Sequence, residues 1–389
     1  MKNGFHYFDY AATTKPDDSI LQDALKFSEE HWGNPSSIYS LGAEAHHALE
    51  ECRSSCAETL GVKKEQIFFT SGGTESDHLA LLSVLMRPQK GSILLSAIEH
   101  PALREMISSV ESAGWKVIKV NPGRDGHVTP EEIINNLKPD TAFVGVMAVN
   151  NETGAVQDIK GISSALEKWA EGKRKPFFHA DCVQAAGKIP LDLKNLGVDS
   201  AAFSSHKIHG PRGTGILYLK KPFSSFLKGG GQEAGIRSGT ENLFGSRAFS
   251  EALKKYYIRP ANPETIERLE LQKKLTANFI SSLRKIKNAR LIPSERKDYD
   301  ENFSPWIVQC AFTGIPGQVM LRALDEEGFL ISTGSACSSG KNTRPVLDAM
   351  HVEPEEKKSS VRFSFGFPTT EEEMNLLLDA VKRICERFE

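Results

Sequence analysis

From about residue 60 to 220 the chain alternates short apolar runs with stretches of helical periodicity. Ile67–Phe69, Ile93–Leu95, Val117–Ile118, Ala142–Val146, Phe177–Phe178, Ala201–Phe203 and Ile216–Leu219 read as buried strands. Between them, Leu103, Met106, Ile107 and Val110 repeat at helical spacing, as do Ile159, Ile162, Leu166 and Trp169. Repeated strand–helix units predict an α/β fold with a mainly parallel sheet covered on both faces. Ligands of such sheets sit beyond the carboxyl ends of the strands, so the residues at those ends are the ones to inspect.

The last third changes character. It is helical from about 245 to 290, with a break at Ile258–Pro263, followed by strand, helix and strand signals near 306–311, 317–327 and 329–332. Val361–Phe365 alternates apolar and polar, and a helix closes the chain. With 389 residues the chain is long for one core, so two domains are expected. The predicted division is a large domain over 16–245 and a smaller α/β domain made from 1–15 and 246–389.

Composition narrows the function classes. Hydrophobic residues at 39% and charged residues at 25% are those of a soluble globular enzyme. A formal net charge of −2 gives no global case for nucleic acid, and Lys173-Arg174-Lys175 reads as a solvated loop. The start of the chain lacks the apolar run of a secretory signal, and no stretch is apolar enough to span a bilayer, so a cytoplasmic protein without membrane contact is expected. The six cysteines, at 52, 56, 182, 310, 337 and 385, lack paired metal-ligand spacing, so neither a disulfide framework nor a metal site is expected.

The chemistry gathers at strand ends. Phe178-His179-Ala180-Asp181 ends one apolar run with a carboxylate, and Ser204-Ser205-His206-Lys207 follows another. An acid at one strand end and a lysine at a later one is how a sheet enzyme holds pyridoxal phosphate. The amine forms a Schiff base with the aldehyde, and the acid keeps the pyridine nitrogen protonated. The competing reading is a solvated ion pair. Thr70–Ser76 is either a phosphate-binding strand-to-helix turn or an ordinary turn capped by Thr74. His100 is either structural or an imidazole stacked on the cofactor, and Asn150-Asn151-Glu152 is either an Asx turn or an amide near the cofactor or substrate. Cys337 lies in Gly334-Ser335-Ala336-Cys337-Ser338-Ser339-Gly340, a run of small residues that predicts an accessible thiol. Core burial is the reading for Cys52 and Cys56, and packing for Cys182.

Together these motifs resemble the cysteine desulfurases of the NifS/IscS type, within the class V aminotransferases. The resemblance runs nearly end to end, through Asp9–Thr14, Gly33–Ser37, Thr70–Ser76, Glu99-His100, Asn150–Glu152, His179–Gln184, Ser204–Pro211, Arg237–Thr240, Gly334–Cys337 and Arg362–Ser364. It implies the pyridoxal-phosphate transferase fold, with a seven-stranded large-domain sheet. By resemblance, Lys207 carries the cofactor, Asp181 pairs with the pyridine nitrogen, Gln184 bonds the phenolic oxygen and His100 stacks on the ring. Gly73, Thr74, Ser204 and His206 hold the phosphate, and Ser205 belongs to the cofactor-binding set. Thr240 reaches the cofactor of a neighbouring subunit, which implies a homodimer. Asn151 contacts cofactor or substrate, and Arg362 with Asn34 orients the substrate carboxylate. Cys337 attacks the sulfur of L-cysteine, leaving L-alanine and a persulfide for an acceptor protein in iron–sulfur cluster assembly or in tRNA or cofactor thiolation. A selenocysteine lyase, another enzyme of the same fold, and a non-catalytic sulfur-relay subunit are the alternatives.

Overall fold

The computed structural model describes residues 4–334 and 343–388. Twelve strands occur among them: β1 (His6–Tyr7), β2 (Ile67–Thr70), β3 (Ser92–Ser96), β4 (Lys116–Val120), β5 (Thr141–Gly145), β6 (Phe177–Asp181), β7 (Ser200–Ser204), β8 (Gly215–Leu219), β9 (Ala289–Ile292), β10 (Ile307–Phe312), β11 (Phe329–Leu330) and β12 (Ser360–Ser364). Seven of them form one sheet in the order β2-β8-β7-β6-β5-β3-β4. Only β8 runs against its neighbours; every other pairing is parallel. The expected sheet is therefore present, and each apolar run lies on one of its strands. Strands β2, β3, β5, β7 and β8 are buried along their whole length, as continuous apolar runs require when helices cover both faces. The edge strand β4 is partly exposed and carries Lys116 and Lys119, charges that discourage pairing with another chain.

Helix Ile159–Trp169 forms as the periodicity predicts, with the Asp158 carboxylate accepting from the Gly161 N–H at 2.8 Å. The stripe at 103–110 differs. It spans two short helices, Pro101–Arg104 and Ile107–Ser112, because the Met106 N–H bonds the carbonyl of Leu103 only three residues back. That tightening shifts the stripe: Leu103 and Val110 are buried, Met106 and Ile107 only partly.

Helix Leu243–Tyr256 still packs into the core under the large sheet. Beyond the expected break, helix Pro263–Leu283 and an antiparallel sheet of order β12-β10-β9 build a second layer. Its own core includes Phe279, Phe312, Phe363, Leu377 and Ile384. The chain start joins it: Phe8 and Ala11 pack there, and the Ser364 N–H donates to the Phe8 carbonyl at 2.8 Å. Val346, Leu347 and Met350 turn back into the core under the large sheet. In β12 the polar positions of the alternating pattern are buried as well, Arg362 at 2% exposure and Ser364 at 0%. Their face meets the chain start rather than water. Among the described residues no helix is long and apolar enough to cross a membrane.

One buried ion pair fastens the segment before Thr240 to the sheet. Arg53, on helix Ser40–Leu60, meets both oxygens of Glu233 at 2.6 and 2.7 Å. Glu233 also accepts from the Phe69 N–H of β2 at 2.7 Å, and both Glu233 and Ala234 hold left-handed backbone angles, φ 50° and 51°. Arg53→Met would leave the buried Glu233 charge without its partner. We expect a loss of about 3–5 kcal/mol, read as a lowered urea midpoint.

Candidate active site

Strands β6 and β7 lie side by side; β6 ends at Asp181, opposite Ala202, and β7 runs on two residues to Ser204. Asp181 is buried, and its carboxylate accepts from the Val183 N–H at 2.9 Å. Burial, aided by the nearby Asp77 charge, pushes its pKa up to about 7. A cation placed against it would hold it ionised. Behind it, His179 bonds Asp77 at 3.0 Å and Ser200 at 2.7 Å, with the ring and the carboxylate both sealed from water.

After β7 the chain makes one tight turn, Ser205–Lys207, which carries the lysine off the sheet end. The Lys207 amine donates to the carbonyls of Ala11 and Ala12 at 2.7 and 2.8 Å. The flanking His206 bonds the Thr13 hydroxyl at 3.0 Å, and its carbonyl accepts from the Thr14 N–H at 2.9 Å. Burial, with Lys207 and other cations nearby, lowers the His206 pKa to about 3, and burial with Lys207 lowers that of His100 to about 4. Both imidazoles are neutral at physiological pH. His100 also caps the Pro101–Arg104 turn, accepting from the Ala102 N–H at 3.2 Å.

The glycine turn after β2 packs against the same strand ends. Gly72, not Thr74, is the cap of helix Gly73–Leu82; Thr74 sits in the first turn with its side chain exposed. A cap must lie outside the helical angles, and Gly72 at φ 156° does so where a side-chain-bearing residue is disfavoured. A Cβ on Gly73 would stand 2.6 Å from Val183 Cγ2 and 3.6 Å from Ser204 Cβ, so glycine allows the turn to close on both.

Arg362 reaches the site from β12. It donates to Asp9 and to the Asn151 carbonyl, each at 2.7 Å. The Gln184 amide donates to the Ala11 carbonyl at 2.8 Å. The structure thus brings Lys207, Gln184, His206 and Arg362 onto the segment 9–14, with Asn151 held by Arg362 and Asp181 on the strand next to the one that leads to Lys207. Asn34 is exposed, with its carbonyl oxygen turned back to the Ser36 N–H at 2.9 Å, and Thr240 is also exposed. Cys337 lies outside the described residues. The other five cysteines are buried, and burial raises the thiol pKa of Cys52, Cys56, Cys182 and Cys310.

Three features were not assigned from the sequence. Asp9 is the partner of Arg362, Ala11 and Ala12 receive the lysine amine, and Asp77 pairs with His179. The Asp9–Thr14 motif was the available signal for the first two; nothing local marks a pairing across 102 residues.

Pyridoxal phosphate needs an amine for its aldehyde, an acid for its ring nitrogen and a cradle for its phosphate. The residues present fit it. Lys207, Asp181 and the Gly72–Gly73 turn converge, and two buried oxygens, Ser205 Oγ and Asn151 Oδ1, have no hydrogen-bond partner among the described residues. This site on this mainly parallel sheet defines a pyridoxal-phosphate enzyme. The class V aminotransferase model matches residues 6–377. A cysteine desulfurase IscS of Dictyoglomus turgidum is 35% identical over 396 residues, covering 98% of this chain and 95% of that protein. A putative cysteine desulfurase IscS 1 of Bacillus subtilis is also 35% identical, covering 97% and 99%. A solved NifS-like protein superposes with a TM-score of 0.88 at 34% identity, covering 98% of this chain and 100% of that one. The chain belongs to the class V aminotransferase family and, within it, to the NifS/IscS cysteine desulfurases.

Proposed function

We propose that this protein takes sulfur from L-cysteine, releases L-alanine and carries the sulfur as a persulfide on Cys337. The observation that supports this most is the convergence of Lys207 and Asp181 at adjacent strand ends, in a chain whose other five cysteines are all buried. The bound cofactor supplies an electron sink for the substrate carbons. Asp181 would hold the cofactor's ring nitrogen and keep it protonated, and the neutral, partly buried His100 would serve at the ring as a proton carrier. Gln184 would give its amide to the phenolic oxygen, Gly73, Thr74, Ser204 and His206 would hold the phosphate, and Ser205 would line the same cradle. Arg362, braced by Asp9, orients the substrate carboxylate with Asn34 and Asn151. The Lys207 amine would hold the cofactor's aldehyde and is the base available to move protons at the substrate carbons.

The sulfur step balances without an added oxidant or reductant. The Cys337 thiolate bonds to the substrate sulfur, the carbon–sulfur bond breaks, and its electron pair returns to a carbon that is then protonated. One thiol and one cysteine become one persulfide and one alanine. A homodimer follows from the reading of Thr240 as the residue given to the partner copy, and an acceptor protein takes the persulfide sulfur onward.

The purified full chain, loaded with cofactor and given L-cysteine, is expected to release alanine and to carry a persulfide that mass spectrometry maps to Cys337. A loaded protein that makes no alanine overturns the proposal in favour of another substrate, such as selenocysteine. Alanine without a Cys337 persulfide overturns the sulfur route.

A further inference from the structure

Lys188 has no part in the mechanism above, yet it lies inside the site. It follows Gln184 by one helical step and is 5% exposed. Among the described residues its amine has one hydrogen-bond acceptor, Gln184 Oε1 at 2.5 Å. Gln184 Nε2 donates in turn to the Ala11 carbonyl at 2.8 Å, and that carbonyl also accepts from Lys207 at 2.7 Å. One amide and one carbonyl therefore link the two lysines, which line a single small cavity with Thr14, Tyr256 and Trp306.

Keeping an amine there is costly. Burial drives the Lys188 pKa well below the lysine range; Lys207 and Arg362 act in the same direction and Asp9 opposes them. A purely space-filling role at this position is better served by an apolar side chain. What the amine adds is direction. An amide presents a donor end and an acceptor end of nearly equal shape, and its neighbours decide which way it faces. The Ala11 carbonyl is shared with Lys207, so the contact that belongs to Gln184 alone is the one from Lys188. Donation to Oε1 holds the amide with Nε2 on the Lys207 side. It also polarises the amide, which makes the remaining N–H of Nε2 a stronger donor.

We propose that Lys188 is a positioning residue of the cofactor site, which holds and polarises the Gln184 amide so that its N–H is given to the cofactor's phenolic oxygen. The inference rests on the reading of Gln184 as the partner of that oxygen. Its consequence is spectroscopic. An N–H facing the phenolic oxygen favours the ionised form, and a weakened or reversed amide disfavours it.

The test is the pH titration of the visible absorbance of the cofactor-loaded protein. Gln184→Ala is expected to raise the midpoint. Lys188→Met is expected to raise it by about one pH unit, roughly tenfold in the ionisation constant. Lys188→Met added to Gln184→Ala is expected to shift it no further. A wild-type midpoint in Lys188→Met overturns the inference, since a merely structural lysine lowers stability without moving the titration. Equal shifts in both backgrounds also overturn it, because the lysine then acts as a direct charge rather than through the amide. A Gln184→Ala variant that titrates like wild type removes the reading of Gln184, and the inference with it. Should Lys188→Met fail to fold, Lys188→Gln carries the same test, being too short to reach Gln184, with the same upward shift expected.

Discussion

Lys207→Ala is expected to abolish covalent attachment of pyridoxal phosphate and to reduce alanine formation by at least about 10⁴-fold. The variant loses both the amine that holds the aldehyde and the group that moves protons at the substrate carbons. It should still fold. The described bonds it gives up go to the Ala11 and Ala12 carbonyls, worth about 1.5–3 kcal/mol each as bonds to a charged group. Borohydride trapping followed by peptide mass mapping is the check. In wild type the trapped cofactor should sit on Lys207, and in the variant on no residue. Attachment at Lys188, the other lysine lining that cavity, would transfer the role to it.

Cys337→Ser is expected to cost about 10³-fold or more in alanine formation while leaving cofactor attachment intact. A serine hydroxyl keeps the shape, but it is far less nucleophilic than a thiolate at neutral pH. The separation of the two effects is the informative part: cofactor absorbance and its change on adding L-cysteine should persist, and persulfide should vanish. The described cysteines cannot readily substitute. All five are buried, and the Cys52 thiol, for one, is pushed up to about 11. A persulfide found on any of them in the variant would count against Cys337.

The described part of the site draws on both sheets. Lys207 and Asp181 are fixed by strand ends of the large sheet, and Arg362 is fixed by β12 of the smaller one. The segment 9–14 lies between them, taking Lys207 on its carbonyls and Arg362 on Asp9. Binding geometry thus depends on both layers keeping their places around that segment.

Much of this was legible in the chain. Apolar runs such as Ala201–Phe203 specified the strands because burial on both faces leaves no room for polar positions. Asp181 and Lys207 stood out because each follows such a run. The periodicity at 159–169 gave one helix, since every buried position lies on one face and Asp158 caps it. The same reasoning failed at 103–110, where a local tightening of the helix is set by contacts that periodicity does not encode.

The sequence by itself determined the alternation of strands and helices, the strand-end placement of Asp181 and of Lys207 just beyond, and the family, because these depend on residue type and local spacing. Only the tertiary structure decided which distant groups meet. Asp9 finds Arg362 across 353 residues, and Ala11 finds Lys207 across 196. It also decided that the polar face of β12 is buried against the chain start. Those outcomes follow from chain crossings between two sheets. A buried polar group must find a partner wherever the fold brings one, and its own neighbours in the chain do not say where that is.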